Sequence, residues 1–336
     1  MMASQPLPSA AAAPVDQALL SVDDLTIAFP VPRGVIVPAR HVSFSVGHGE
    51  TLGLVGESGS GKSVTLRAIL GLLPAPGRIV AGRITLDGQD LVGAKPKVLQ
   101  GIRGSQIAMI FQDPMASLNP VLSVGDQLVE TLRAKHSLDR RSAFSRAEEL
   151  LERVGIRPAK ERLKAYAHQL SGGQAQRVMI ALAIAGNPRI LLADEPTTAL
   201  DVSVQDQVLS LLEDLRVDSG MSMVIVSHDM GVIARTSDRV AVMYAGSILE
   251  RGTVDEVLHA PRHPYTRMLL GAVASLEPNV ERKPLVSIVG QLPDLVSLGG
   301  GCPFAARCTY ARPECAEVPV VLDAPDDGHG SACPFI

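Results

Sequence analysis

The stretch GESGSGKS, Gly56 to Ser63, constrains this chain more than any other. A continuous apolar run, TLGLVG, leads into it. A helical pattern, KSVTLRAILGLL, leaves it and is expected to stop at Pro74. The form G-x-x-x-x-G-K-[ST] between a buried strand and a helix is a phosphate loop. Its glycines let the backbone wrap close to phosphate oxygens with N–H groups pointing inward, and the helix N-terminus adds its positive end. Gly56, Glu57, Ser58, Gly59, Ser60 and Gly61 are expected to cradle a nucleoside triphosphate. Lys62 would reach the outer phosphates, and Ser63 is suited to ligate Mg²⁺.

The surrounding pattern supplies the sheet such a loop needs. VDDLTIAF and HVSFSVGHGE alternate apolar and polar residues, as half-buried strands do. GRITLDG and QIAMIF read as further strands, and VAVMYAGSILERG as a closing hairpin. The buried runs RILLAD and MVIVSH alternate with the helical VSVQDQVLSLLEDLRV, which implies a mainly parallel sheet flanked by helices. Residues 113–167 differ: SVGDQLVETLRA and RSAFSRAEELLERVGI carry helical spacing and little strand signal. The fold class is therefore α/β. No repeat of the solenoid type is present.

Two further stretches carry chemistry. ILLADEP ends a buried strand with Asp194 and Glu195, at the sheet edge where α/β folds bind ligands. Asp194 is suited to hold Mg²⁺, and Glu195 to orient and polarise an attacking water. LSGGQAQR makes a second helix N-terminus, with Ser171 as cap and two glycines allowing close approach. It is a second anion site, although one mononucleotide needs a single phosphate cradle.

With these motifs in order, residues 21 to about 262 resemble the ATPase subunit of an ATP-binding-cassette (ABC) transporter. The resemblance implies a P-loop ATPase core with an antiparallel β subdomain and a helical subdomain at about 113–167. Gln112 in FQDP is similar to the glutamine loop and would contact Mg²⁺. Ser171, Gly172, Gly173 and Gln174 resemble the family signature. Asp201 in TALD resembles the loop that crosses the dimer interface, and His228 in SHD the switch histidine at the γ-phosphate. Phe29 falls where the family stacks an aromatic ring on adenine. Two cassettes would meet head to tail, each ATP lying between the phosphate loop of one and the signature of the other. A second ATPase subunit, expected as a different chain, is implied.

The tail narrows the resemblance. RHPYTRMLLGAV, GQLPDL and GCPFAARC are similar to the ATPase subunits of dipeptide, oligopeptide and nickel importers. Those work with two membrane-spanning permeases and an extracytoplasmic solute-binding protein, at the cytoplasmic face of the cell membrane. A di- or oligopeptide solute is expected, with nickel or another small solute as the alternative. A soluble cassette protein of DNA repair or translation would generally carry coiled-coil insertions or two cassettes per chain, and neither is seen. An exporter cassette is often fused to transmembrane helices, and an iron–sulfur sensor would leave the hydrolytic residues unexplained.

Composition agrees. The net charge of −4 argues against a nucleic-acid binder. No apolar run approaches the roughly 18–20 residues that span a bilayer. Residues 1–20 open with an Ala/Pro-rich tail that carries no basic residue and reads as disordered, with no secretory signal. Residues 263–336 are expected to form a small irregular extension holding all four cysteines, Cys302, Cys308, Cys315 and Cys333. Such a segment has little core of its own and needs a staple. Disulfides are disfavoured in the cytoplasm, so the spacing C-x₅-C-x₆-C-x₁₇-C suggests a metal site. Zinc knuckles usually take tighter C-x₂₋₄-C pairs, so a [4Fe–4S] cluster is favoured, and the resembling subunits include cluster-bearing members. Zn²⁺, with His329 replacing one cysteine, and free thiols remain the alternatives.

Overall fold

The computed structural model describes residues 18–198, 200–272, 290–322 and 328–335. Most of the expected N-terminal tail, Ala199 of TALD, and Val273 of the RHPYTRMLLGAV stretch lie outside these residues.

Eleven strands form two sheets among the described residues. An antiparallel sheet of order β2-β1-β4-β5 is built from β1 (Leu20–Val31), β2 (Gly34–Val46), β4 (Arg78–Leu86) and β5 (Gln89–Asp90). The central sheet has the order β11-β10-β9-β3-β8-β7-β6. Its members are β3 (Thr51–Val55), β6 (Ile107–Ile110), β7 (Ile190–Asp194), β8 (Ser222–Ser227), β9 (Arg239–Tyr244), β10 (Ser247–Thr253) and β11 (Gly330–Ser331). Strands β9, β3, β8, β7 and β6 run parallel, and β10 and β11 add antiparallel pairings at one edge.

Both faces of the parallel strands are covered, which is why TLGLV, ILLAD and SMVIVS are buried at every position. The strand period of two divides them between two cores. Ile190, Leu192, Val224 and Val226 join the core beneath the antiparallel sheet. Leu191, Ala193, Met223 and Ile225 join the core shared with the helices. That second core takes in the expected helical stretch, where α3 (Pro114–Ser117), α4 (Val124–His136), α5 (Arg140–Arg153) and α6 (Ala159–Arg162) follow one another. Ser123 caps α4 through the Asp126 N–H, and Asp139 caps α5 through the Ser142 N–H.

The remaining helices are α1 (Lys62–Ile69), α2 (Pro96–Ile102), α7 (Gly172–Ile184), α8 (Val202–Ser219), α9 (Met230–Thr236), α10 (Val254–His259) and α11 (Pro264–Gly271). Helix α1 ends earlier than its sequence pattern suggests. Gly71, at φ 61°, takes the left-handed conformation, and the N–H groups of Leu72 and Gly71 return to the carbonyls of Arg67 and Ala68. Glycine closes the helix there, before Pro74 is reached.

The C-terminal extension is not a separate lobe. Gly330 and Ser331 pair with Arg251 and Glu250 and lengthen the central sheet. Phe304 is fully buried in the core that also holds Tyr244 and Tyr265. A buried carboxylate, Glu250, accepts from the backbone N–H groups of Arg262 and His263 and from His329 Nε2 at 2.7, 2.8 and 2.8 Å. These bonds tie the tail to the edge of the sheet.

Candidate active site

Because β3, β6, β7 and β8 are parallel, their carboxyl ends share one edge of the sheet. Gly56 follows β3, Gln112 follows β6, Asp194 ends β7, and His228 follows β8. Topology alone thus gathers residues scattered over more than half the chain, as open α/β sheets do.

The phosphate loop is tightly framed. A Cβ at Gly56 would overlap the carbonyl of Met243, and one at Gly61 would overlap that of Pro38. Gly56 sits at φ 155° and Gly61 at φ 102°, so glycine is required twice over. Lys62, only 4% exposed, turns its ammonium into the loop and donates to the carbonyls of Gly56 and Glu57 at 2.8 and 2.9 Å and to Ser60 Oγ at 3.2 Å. Burial lowers its pKa, against the pull of Glu195, Asp194 and Glu57.

Ser63 Oγ donates to Asp194 Oδ1 at 2.7 Å. Asp194 is 1% exposed, and burial raises its pKa, aided by the Glu195 charge and opposed by the Ser63 bond. A desolvated carboxylate beside a hydroxyl is an oxygen donor pair of the kind that suits a hard divalent cation. Glu195 adopts φ 46°, strained for a residue with a side chain. Its Oε2 accepts from Gln112 Nε2 at 3.1 Å and Thr198 Oγ1 at 2.8 Å, and lies 3.5 Å from His228 Nδ1. His228 is itself 58% exposed, facing outward from the edge. Thr198, the first residue of TALD, has no role that the motif itself declares, although its place three residues after Glu195 flags it.

Ser171, Gly172, Gly173, Gln174 and Asp201 stand apart from this group. Ser171 and Gln174 bond each other reciprocally in a capping box at the start of α7, and Asp201 caps α8 through the Val204 N–H. A Cβ at Gly173 would come within 2.8 Å of Val204, so the two helix starts lie against each other. No hydrogen bond joins these residues to the phosphate loop among the described residues. Phe29 is half buried, with its ring against Gly77.

The four cysteines are free, half buried, and line one cavity of about 60 Å³ with Phe304 and Phe335. Burial pushes the Cys302 thiol up to about 11 and raises Cys308 as well. Neither metal reading, the cluster or zinc, gains support from this geometry. Among the described residues no group of three or more His, Cys, Asp or Glu side chains is set to hold an ion. His329, expected as a substitute ligand, is bonded to Glu250 and lies outside the cavity.

This arrangement is matched by known proteins. The family described as ABC transporter matches residues 39–198, and the family described as oligopeptide/dipeptide transporter, C-terminal region, matches residues 249–315. An oligopeptide transport ATP-binding protein of Bacillus subtilis is 49% identical over 294 residues, covering 87% of this chain and 82% of the relative. A dipeptide transport ATP-binding protein of Escherichia coli is 43% identical over 318 residues, covering 95% and 97%. A solved dimeric ATP-binding cassette in a post-hydrolysis state, bound to ADP and Pi, is 28% identical with a TM-score of 0.64, over 70% of this chain and 98% of that one. Among the described residues, no helix is long and apolar enough to cross a membrane.

Proposed function

We propose that this chain, which belongs to the ABC transporter family, is the ATP-hydrolysing subunit of an importer of di- and oligopeptides. The observation that carries this reading is the joining, in one chain, of the assembled site at the sheet edge with the C-terminal region of the oligopeptide/dipeptide transporters. Relatives at 43–49% identity, named as oligopeptide and dipeptide transport ATP-binding proteins, extend over nearly the whole chain.

The residues divide the work. Backbone N–H groups of Gly56–Ser63 and the start of α1 receive the phosphates, and Lys62 exchanges its carbonyl partners for phosphate oxygens. Glu195, held by Gln112 and Thr198, orients the attacking water and takes up its proton as the water oxygen bonds to the γ-phosphorus and the bond to the bridging oxygen of the departing ADP breaks. His228 contacts the γ-phosphate from the exposed side. Ser63, Asp194 and Gln112 would hold Mg²⁺, which neutralises phosphate charge when bound. Phe29 would stack on adenine once Gly77 gives way.

The exposed signature at Ser171–Gln174, with Asp201 beside it, completes the phosphate site of a second cassette. The dimeric cassette to which the fold is similar supports that arrangement. Closure around ATP excludes water and strengthens the electrostatics at the γ-phosphate. Hydrolysis then releases the pair and drives two permeases, fed by an extracytoplasmic binding protein, with this chain peripheral on the cytoplasmic face. The second cassette is expected to be a different chain.

The cysteine cavity is the site of a [4Fe–4S] cluster. The reading is supported by the four thiols lining one cavity and by their C-x₅-C-x₆-C-x₁₇-C spacing, which suits one thiolate on each iron. Cys302, Cys308, Cys315 and Cys333 would hold it, and the cluster would staple the extension, its acquisition releasing the thiol protons.

Mild detergent extraction tests the function. This chain should co-purify with two membrane-spanning proteins, and the complex in proteoliposomes should couple MgATP hydrolysis to peptide uptake. Isolation as a free, peptide-independent ATPase with no membrane partner would reject the importer reading.

A further inference from the structure

The extension reaches the phosphate loop itself. Arg307, on the short turn between Cys302 and Cys308, places Nη1 3.1 and 3.0 Å from the two carboxylate oxygens of Glu57, across 250 positions of sequence. Its side chain is 6% exposed and that of Glu57 28%, so the pair is shielded from water on one side. The same nitrogen donates to Tyr244 Oη at 3.2 Å. Tyr265, fully buried on α11, accepts from the Glu57 backbone N–H at 3.0 Å. The Glu57 carbonyl meanwhile accepts from Lys62 Nζ and from the Ser60 N–H. One residue of the loop is thus held at its carboxylate, its N–H and its carbonyl, and two of the three holds come from beyond residue 262.

The holding groups are themselves fixed. Phe304 meets Tyr244 edge-on and Tyr265 at a tilt, both with ring centroids 5.2 Å apart, and the two tyrosine rings lie 4.7 Å from each other. All three rings belong to the helix-side core. A second approach is independent of this network: Leu292 of the GQLPDL segment lies near Gly59, where a Cβ would stand 3.6 Å from it. A glycine-rich loop loses much entropy when a ligand orders it. Supports that order it beforehand transfer that cost from binding to folding.

We infer that Arg307 and Tyr265 are positioning residues for the phosphate loop, so that the C-terminal extension sets the nucleotide affinity of this chain. Neither touches nucleotide; both act through Glu57. The inference rests on the reading of Gly56–Ser63 as the nucleotide site. Failure of the wild-type chain to bind ATP would sink that reading, whereas intact binding that ignores Arg307 and Tyr265 would sink this one alone.

The test uses the full chain and an ATP analogue with a fluorophore on its ribose, with Mg²⁺. Arg307→Met should weaken binding about fivefold or more, Arg307→Lys less, and Glu57→Gln similarly to Arg307→Met. The double variant Glu57→Gln/Arg307→Met should bind no more weakly than the worse single one, because both remove one interaction. Tyr265→Phe, which keeps the ring and loses one acceptor, should cost about threefold. In the assembled transporter the loss in Arg307→Met and Tyr265→Phe should fall on KM, with kcat at saturating ATP within about twofold of wild type. Should Arg307→Met not fold, Arg307→Lys and Tyr265→Phe decide by the same readout. Unchanged affinity in the folded variants, or strict additivity in the double variant, overturns the inference.

Discussion

Ser63 Oγ and Asp194 Oδ1 meet at 2.7 Å although 131 positions separate them in sequence. The bond joins the helix that follows β3 to the end of β7, and it brings a hydroxyl and a buried carboxylate to one point. The carboxyl is held above its ordinary range chiefly by burial.

Replacing Asp194 by Asn should separate stability from activity. A carboxyl whose folded pKa is raised costs nothing while it is protonated in both states. The penalty grows as pH rises from the ordinary Asp value of 3.8 toward the raised folded one, and it is complete only above the latter. Asp194→Asn should therefore raise the melting temperature of the nucleotide-free chain at pH 7, by about 2–4 °C for each kcal/mol relieved. The gain should vanish in acid, and Mg²⁺-dependent hydrolysis should be lost. Calorimetry across pH checks the first half; a variant less stable at pH 7 than the wild type contradicts it.

Glu195→Gln keeps the shape of the side chain and its contact distances to Gln112 and Thr198, and it removes the basic carboxylate. ATP binding should persist while turnover in the assembled transporter falls about 10²–10⁴-fold. Near-normal turnover would reject Glu195 as the general base.

Ser171→Arg places a bulky cation on the exposed start of α7 and leaves this chain's own phosphate loop untouched. ATP binding to the isolated chain should be unchanged, since no hydrogen bond of Ser171 reaches that loop. Hydrolysis should be lost at the site whose phosphate loop belongs to the partner cassette. Unchanged hydrolysis at the partner's phosphate loop with Ser171→Arg in this chain would show that the signature does not act across the dimer.

Protein purified without oxygen should be brown and carry about four irons per chain. Cys308→Ser should lower both the iron content and the melting temperature, because the extension loses its staple. Colourless protein holding one zinc and no iron would remove the cluster and leave the ATP site as it stands.

Much of this was legible in the sequence because it is local. The phosphate loop, the capping box of Ser171 with Gln174, and the all-apolar runs of β3 and β7 each declare themselves within about ten residues through backbone chemistry or burial period. From those runs a parallel sheet follows, and with it the meeting of Gln112, Asp194, Glu195 and His228 at one edge. The placement of the tail had no such signal. Nothing in GCPFAARC says that Arg307 will find Glu57, or that His329 will turn to Glu250 and away from the cysteines. Long-range side-chain contacts have no periodicity, and these span 250 and 79 positions. They exist only because β11 joins the sheet edge and Phe304 enters the shared core, bringing the turn that carries Arg307 over the phosphate loop. The sequence determined the chemistry of the nucleotide site; the tertiary structure decided what supports it, since burial against a distant surface is a property of the packed chain.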